Sequence, residues 1–210
     1  MTAKGRQAEN SAATRASLLK IARRFFAERG YADTATEEIV RRARVTRGAL
    51  YHHFKDKQDL FRAVLHEEQS RVAAKCTEAA AKENDPWRAL IAANEAFLEA
   101  CLDPAVQQIV LIDAPAVLGS EGFRQSDESY YLAGLKAAIE AAIAAGIIEP
   151  QPVDALAHMI MGSMNEAARL IAHASDKQRA RREVSESANR LWNGLRINPP
   201  DNHPPDRGIR

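Results

Sequence analysis

Cysteine is almost missing from this chain of 210 residues: only Cys76 and Cys101 occur, with no CxxC or Cys/His spacing around them. A disulfide framework and a zinc site are therefore not expected, and two isolated thiols suit a reducing compartment, where buried cysteines act as small hydrophobes. Long apolar runs are missing too. Nothing approaches the ~20 residues of a membrane span, and the opening MTAKGRQAEN has no apolar signal-peptide stretch, so no membrane association and a cytoplasmic location are expected. No segment alternates apolar and polar residues as a strand does, which implies an all-α protein. Serines and histidines are scattered, and the HEEQS run at His66 is not an HExxH pattern. No clustered nucleophile, base and orienting group is visible, so the chain is not expected to be an enzyme or to need a metal or cofactor.

Net charge is nearly absent as well, at +1, but this neutrality hides a strong asymmetry. Met1 to Arg62 holds 14 Lys and Arg against 7 Asp and Glu, a net +7, while Ala63 to Arg210 holds 15 against 21, a net −6. A duplex exposes one phosphate charge per ~1.7 Å and would attract only the basic end. The punctuation between these ends is helical. Asp85-Pro86 and Asp103-Pro104 place a capping side chain before a proline at the first helical position, Pro152 opens a further helix and Gly146 closes the one before it. Helices are predicted over 14–29, 36–44, 46–53, 57–82, 86–101, 104–113, 125–145, 152–174 and 177–195, about nine in all. The domain reading is an N-terminal arm over 1–13, a DNA-binding unit over 14–62, a helical body over 63–196 and a disordered proline-rich tail over 197–210. Lys4 and Arg6 in the arm are expected within reach of an adjacent minor groove.

The segment TEEIVRRARVTRGALYHHFKDK, Thr36 to Lys57, carries the strongest signal. Thr36 reads as an N-cap, with Glu37 and Glu38 in the first turn and Ile39 and Ala43 on the buried side. The helix stops near Arg44. Thr46 then caps a second helix in which Leu50 and Phe54 face inward while Gly48, Tyr51 and His52 face elsewhere. In such a helix-turn-helix the N-terminal side chains of the second helix meet base edges. Arg47 can pair in bidentate fashion with guanine, Ala49 can touch a thymine methyl, and Gly48 lets the backbone approach.

On these residues the chain resembles a known family: GALYHHFKDKQDLF is similar to the signature of the TetR family of bacterial transcriptional regulators. The stripe Leu18, Ile21, Ala22, Phe25 and Phe26, closed by Gly30-Tyr31, resembles that family's first helix, and LIDAPAVLG and PQPVDALAHMIMGSMNEAA resemble one of its branches. The resemblance implies a three-helix helix-turn-helix domain followed by a helical effector-binding and dimerisation domain. It implies phosphate contacts from Thr36, Tyr51, His53 and Lys57, with Arg47, Gly48, Ala49 and His52 nearer the bases; Arg44, Thr46 and Lys55 complete the expected DNA-binding set. Packing against the neighbouring helix is the other reading for Tyr51 and His53. The family usually has glycine where this chain has Arg44, so a positive φ there would cost roughly 1 kcal/mol.

The body is less legible. The resemblance implies a small-molecule cavity, for which Asn94, Cys101, Tyr130, His158, Met161 and Asn165, with Met164 beside them, are the polar or adaptable residues on apolar helices. Each can also be ordinary core. The sparse charge of these helices favours an apolar or mildly polar effector. Leu156, Ile160, Ser163, Ala167, Ile171 and Ala174 stripe one late helix, and Val184, Ala188, Leu191 and Leu195 the next. They form either half of an intersubunit four-helix bundle or a core hairpin, and the resemblance favours a homodimer. The functional expectation is a homodimeric repressor on double-stranded DNA, released from a palindromic operator by a small molecule. The alternatives are a ligand-independent DNA-organising protein of the same fold and an activator.

Overall fold

The structure, a computed structural model, describes residues 3–197. In order these form α1 (Ala3–Arg29), α2 (Thr36–Ala43), α3 (Arg47–His53), α4 (Lys57–Ala81) and α5 (Pro86–Ala100), then a π-helical stretch (Val106–Asp113) leading into α6 (Ala114–Asp127). A second π-helical turn (Glu128–Leu132) joins α6 to α7 (Ala133–Ala144), followed by α8 (Val153–His173) and α9 (Lys177–Asn193). The described residues contain no strand; an isolated bridge pairs Ile148 with Arg196. No helix among them is long and apolar enough to cross a membrane. The fold class is the expected one: an N-terminal helix-turn-helix unit followed by a helical body.

Local chemistry sets most boundaries. Asp56, Asp85 and Asp176 cap α4, α5 and α9, accepting hydrogen bonds from the backbone N–H groups of Asp59, Arg88 and Arg179 at 2.7, 2.8 and 2.9 Å. Each bond satisfies an N–H that the helix leaves unpaired in its first turn. Thr46 does the same for α3, accepting from Ala49 N–H at 3.1 Å. Gly30 ends α1 at φ +80°, and a Cβ there would also meet the Gln108 side chain at 3.1 Å. Glycine is thus required both for the left-handed turn and for the close approach of the π-helical stretch.

Four expectations change. Residues 3–13, expected as an arm, are helical and extend α1 back to Ala3. This segment contains four alanines and no proline or β-branched residue, and adding turns to a formed helix avoids the cost of nucleation. Thr36 is the first helical residue of α2, not its cap: Ala35 holds the cap position without a side-chain bond, and the Thr36 hydroxyl pairs with Glu37 at 3.2 Å. The gap left between 113 and 125 is helical, kinked at Gly119 (φ 73°, ψ 167°). Pro115 is the second residue of this helix, directly after the π-helical stretch. Finally, Ile197 of the expected tail donates its backbone N–H to Ile147 at 2.9 Å; the remainder, 198–210, lies outside the described residues.

One apolar core runs through the N-terminal unit and into the body. Phe61 on α4 packs edge-on against Phe26 at 5.3 Å and Tyr31 at 5.1 Å between ring centres. Ile109, Val110 and Ala114 complete the same cluster from the other side. The expected division at 62/63 therefore crosses α4 but no break in packing. Further clusters gather around Trp87, Ile139 and Trp192, and around Leu98, Cys101, Ala168 and Ile171.

Candidate nucleic-acid interface and internal cavity

The outer face of α3 follows from its two periodicities. Leu50 and the adjoining Phe54 are buried, which turns Arg47, Gly48, Tyr51 and His52 to solvent and leaves Ala49 and His53 half-buried. Arg47 is 69% exposed; its guanidinium lies 3.7 Å from Glu37 and 5.5 Å from the centre of the Tyr51 ring. Such exposed pairings are weak and leave the side chain available to a groove. Thr46 is exposed, with its hydroxyl engaged in the α3 cap. Lys55 is fully outward, and Thr36 is half-buried at the start of α2. Arg44 occupies the left-handed region at φ 55°, ψ 40°, the one positive-φ residue other than glycine among those described, and its side chain is exposed.

Two residues of the expected DNA-binding set, Lys57 and His53, are partly buried. Lys57 is half-buried: its ammonium sits 4.3 Å from the centre of the Tyr31 ring and 3.3 Å from the Ala32 carbonyl, and burial lowers its pKa against the opposing pull of Asp33 and Asp113. It braces the joint between α1 and α4. His53 lies beside the buried Phe54 ring, 6.3 Å between ring centres, and its pKa is lowered by burial, then by His52 and Arg15. The sequence reading also missed a shallow polar groove between α3 and the extended α1, lined by Gln7, Asn10, Ser11 and Thr14 opposite Ala49, His52 and His53. The signal available was the alanine-rich, proline-free run at 3–13.

A joint ties this unit to the body. The Asp113 carboxylate accepts from the Tyr31 backbone N–H at 2.7 Å and from the Gln108 side chain at 3.1 Å. Its pKa is raised by burial, with Tyr31, Gln108 and Lys57 opposing. Gln58 on α4 donates to the Val117 carbonyl at 2.8 Å. These bonds tie the end of the Val106–Asp113 stretch to the turn after α1, and α6 to the first turn of α4.

Behind the joint lies an internal cavity of about 320 Å³ walled by α4, α5, the second π-helical turn, α7, α8 and Trp192 of α9. Of the expected residues, Asn94, Tyr130, Met161 and Asn165 line it, as does Met164. Cys101 does not: it is packed with Leu98, Ala168 and Ile171, and burial pushes its thiol up to about 12. His158 does not either; it is exposed on α8, facing Glu128 and Asp154. Helical spacing could not say which way either side chain turns. Missed were the α4 wall, Ala73, Cys76, Thr77 and Ala80, and Phe97 and Tyr131. The π-helical turn Glu128–Leu132 carries Tyr130 and Tyr131, and its extra residue per turn rotates both rings toward this space. Tyr130 hydroxyl meets His66 of α4, and Tyr131 hydroxyl donates to the Gln69 carbonyl at 3.4 Å.

The α8/α9 hairpin presents an apolar groove that adjoins the cavity, sharing Ile160, Met164 and Trp192 with it. Leu156, Ile160, Ser163, Val184, Ala188, Leu191 and Leu195 line it as expected. Ala167 lies at its floor, while Ile171 is completely buried within its own protomer against Leu98 and Cys101. Ala174 is half-buried at one end. The most exposed apolar side chains on this face are Met159 (73%), Leu191 (68%) and Leu170 (51%), of which the sequence reading named only Leu191.

Comparison with known proteins matches both halves of the molecule. Residues 18–64 match the family described as bacterial regulatory proteins, tetR family, and residues 87–195 that described as tetracyclin repressor-like, C-terminal domain. A solved TetR-family transcriptional regulator from Pectobacterium atrosepticum is 35% identical and superposes with a TM-score of 0.82, covering 91% of this chain and 98% of that one. The transposon Tn10 TetC protein of Escherichia coli is 28% identical over 162 residues, 77% of this chain and 82% of its own length. The transcriptional regulator AcrR of Shigella flexneri is 44% identical over 59 residues, a match confined to 28% of this chain and 27% of that one.

Proposed function

Since the chain belongs to the TetR family of bacterial regulators, and is accordingly a DNA-binding transcriptional regulator, we propose that it works as a homodimeric repressor that leaves a palindromic operator when a small molecule occupies the cavity. The observation that carries the reading is the double use of α4. Its first turns, Leu60 and Phe61, are built into the core of the DNA-binding unit, and its later turns, Ala73 to Ala80, are a wall of the cavity. A helix of 25 residues spans ~37 Å, so a ligand pressing on one end displaces the other.

Arg47, Gly48, Ala49 and His52 are assigned to base edges, and Arg44, Thr46, Tyr51 and Lys55 to phosphates. Thr36, His53 and Lys57 support that surface from beneath and reach DNA only at its margin. The α8/α9 groove is assigned to a second copy, because Met159, Leu170 and Leu191 leave an apolar face that a two-fold partner would cover with the same residues. Two readers then lie about one turn of DNA, ~34 to 36 Å, apart. A difference of ~1 to 3 kcal/mol in affinity between the two states gives about 5- to 150-fold release. Such a protein works in the cytoplasm on chromosomal DNA, with neither membrane nor catalytic chemistry involved.

Capture of fragmented genomic DNA by the purified chain, followed by sedimentation of the complex, tests this. The expected result is inverted-repeat sites bound by two copies, with affinity reduced at least fivefold by some fraction of a metabolite extract. Asymmetric sites bound by one copy would overturn the dimer, and binding indifferent to every fraction would overturn the effector.

A further inference from the structure

The polar groups on the cavity wall are almost all engaged by the protein itself. Thr77 donates to the Ala73 carbonyl at 3.0 Å, Tyr130 meets His66, and Tyr131 donates to the Gln69 carbonyl, while Asn165 is only half-buried. Asn94 is different. It is only 6% exposed, it faces the cavity from α5, and neither its Nδ2 nor its Oδ1 has a partner. A buried amide is ordinarily satisfied, because leaving both a donor and an acceptor unpaired in an apolar enclosure costs stability. The remaining wall is apolar or aromatic, and none of the lining residues is charged. The buried carboxylate of Asp127 does not line the space and is already held by Gln69.

We propose that the cavity takes a compact, uncharged, mainly apolar molecule bearing a carboxamide or lactam, whose carbonyl accepts from Asn94 Nδ2 while its N–H donates to Asn94 Oδ1. This rests on the cavity being the effector site and names the class of effector. A single amide supplies acceptor and donor side by side, the one arrangement that pairs both free atoms of Asn94 at once. An ester or ketone pairs only one. A carboxylate or ammonium would lose its hydration with no counter-charge on the wall. A volume of about 320 Å³, at the small end of the ~300 to 1,000 Å³ typical of ligand pockets, suits a molecule of one or two rings.

The test is calorimetric titration of the full chain with four probes of nearly equal shape: 4-phenylbutyramide, 5-phenylpentan-2-one, 4-phenylbutyrate and 4-phenylbutylamine. The amide is expected to bind at least tenfold more tightly than each of the others. In Asn94→Leu the amide should lose at least tenfold and the ketone should bind as well as before or better. The uncomplexed Asn94→Leu protein should melt at a higher temperature than the wild type, whereas an asparagine satisfied by the protein would lower it on removal. Equal binding of amide and ketone, tighter binding of either ionic probe, or no binding of the amide at millimolar concentration overturns the proposal. If Asn94→Leu fails to fold, the wild-type amide-to-ketone ratio decides alone. An amide that binds through Asn94 without weakening operator affinity would sink the effector reading and leave the recognition chemistry standing.

Discussion

At the N-terminal end the side chains proposed to meet DNA stand mostly on one seven-residue helix and its flanking turns, and the outermost of them, Arg47, Tyr51, His52 and Lys55, are exposed. At the cavity they come from five helices and a π-helical turn, and Tyr130 and Tyr131 are held by His66 and Gln69 behind the wall. The first arrangement separates function from stability, since a side chain in solvent can be changed without disturbing the core. The second fuses them, because each cavity residue is also a wall. Yet both draw on one packed cluster around Phe26, Tyr31 and Phe61, so neither end is free of the other.

The sharpest way to break the contrast is Phe61→Ala. Phe61 is fully buried, and its loss should cost ~3 to 5 kcal/mol. Helical signal and operator binding should disappear together in one denaturant transition; two separate transitions would show the ends to be independent. Next is Asp127→Asn. Burial raises the Asp127 pKa from 3.8 to about 6, with Gln69 and Asn165 opposing. The folded state therefore holds its proton more tightly than the unfolded one. Ionised Asp127 costs stability above pH 6, and that cost fades as pH falls toward 3.8. The amide should stabilise the protein by up to about 3 kcal/mol at high pH, with the gain shrinking on acidification. A melting-temperature series against pH that shows no such convergence would refute it.

Effects at the DNA end should be smaller and confined to recognition. Arg47→Ala should cost ~1 to 3 kcal/mol at one base pair and relax selection there, with the melting temperature unchanged. Lys55→Ala should weaken all sequences alike and reduce the salt slope by about 1. Smallest is Arg44→Gly. Relief of the φ 55° strain should stabilise the fold by about 1 kcal/mol, and if Arg44 contacts phosphate, operator affinity and its salt slope should both fall. Stability gained with DNA binding untouched would reduce Arg44 to a strained turn residue.

What could be read beforehand followed the range of the forces involved. Leu50 and Phe54 lie one turn apart and Thr46 caps within three residues, so sequence spacing alone set the orientation of α3 and placed Arg47 outward. The start of α5, capped by Asp85 before Pro86, was legible for the same reason. The α1 extension escaped because a polar run reads as an arm by composition, and most of the Ala114–Asp127 helix falls between the helices predicted over 104–113 and 125–145. The comparison of Ile171 with Leu191 is instructive: both sit on predicted apolar stripes, yet one is sealed against Leu98 and the other stands in solvent. A helix such as α8 is apolar around most of its circumference, so periodicity cannot choose which face is kept for the protomer and which is left for a partner.

By itself, the order of residues determined the helical class, the basic end and the outward face of the reading helix, since these depend on neighbours within one or two turns and on summed charge. Only the tertiary structure decided that Cys101 and His158 turn away from the cavity, that Tyr130 and Tyr131 turn in, and that Asn94 is left without a partner. Those outcomes depend on side chains distant in sequence competing for the same volume, and that competition is settled only when the helices pack.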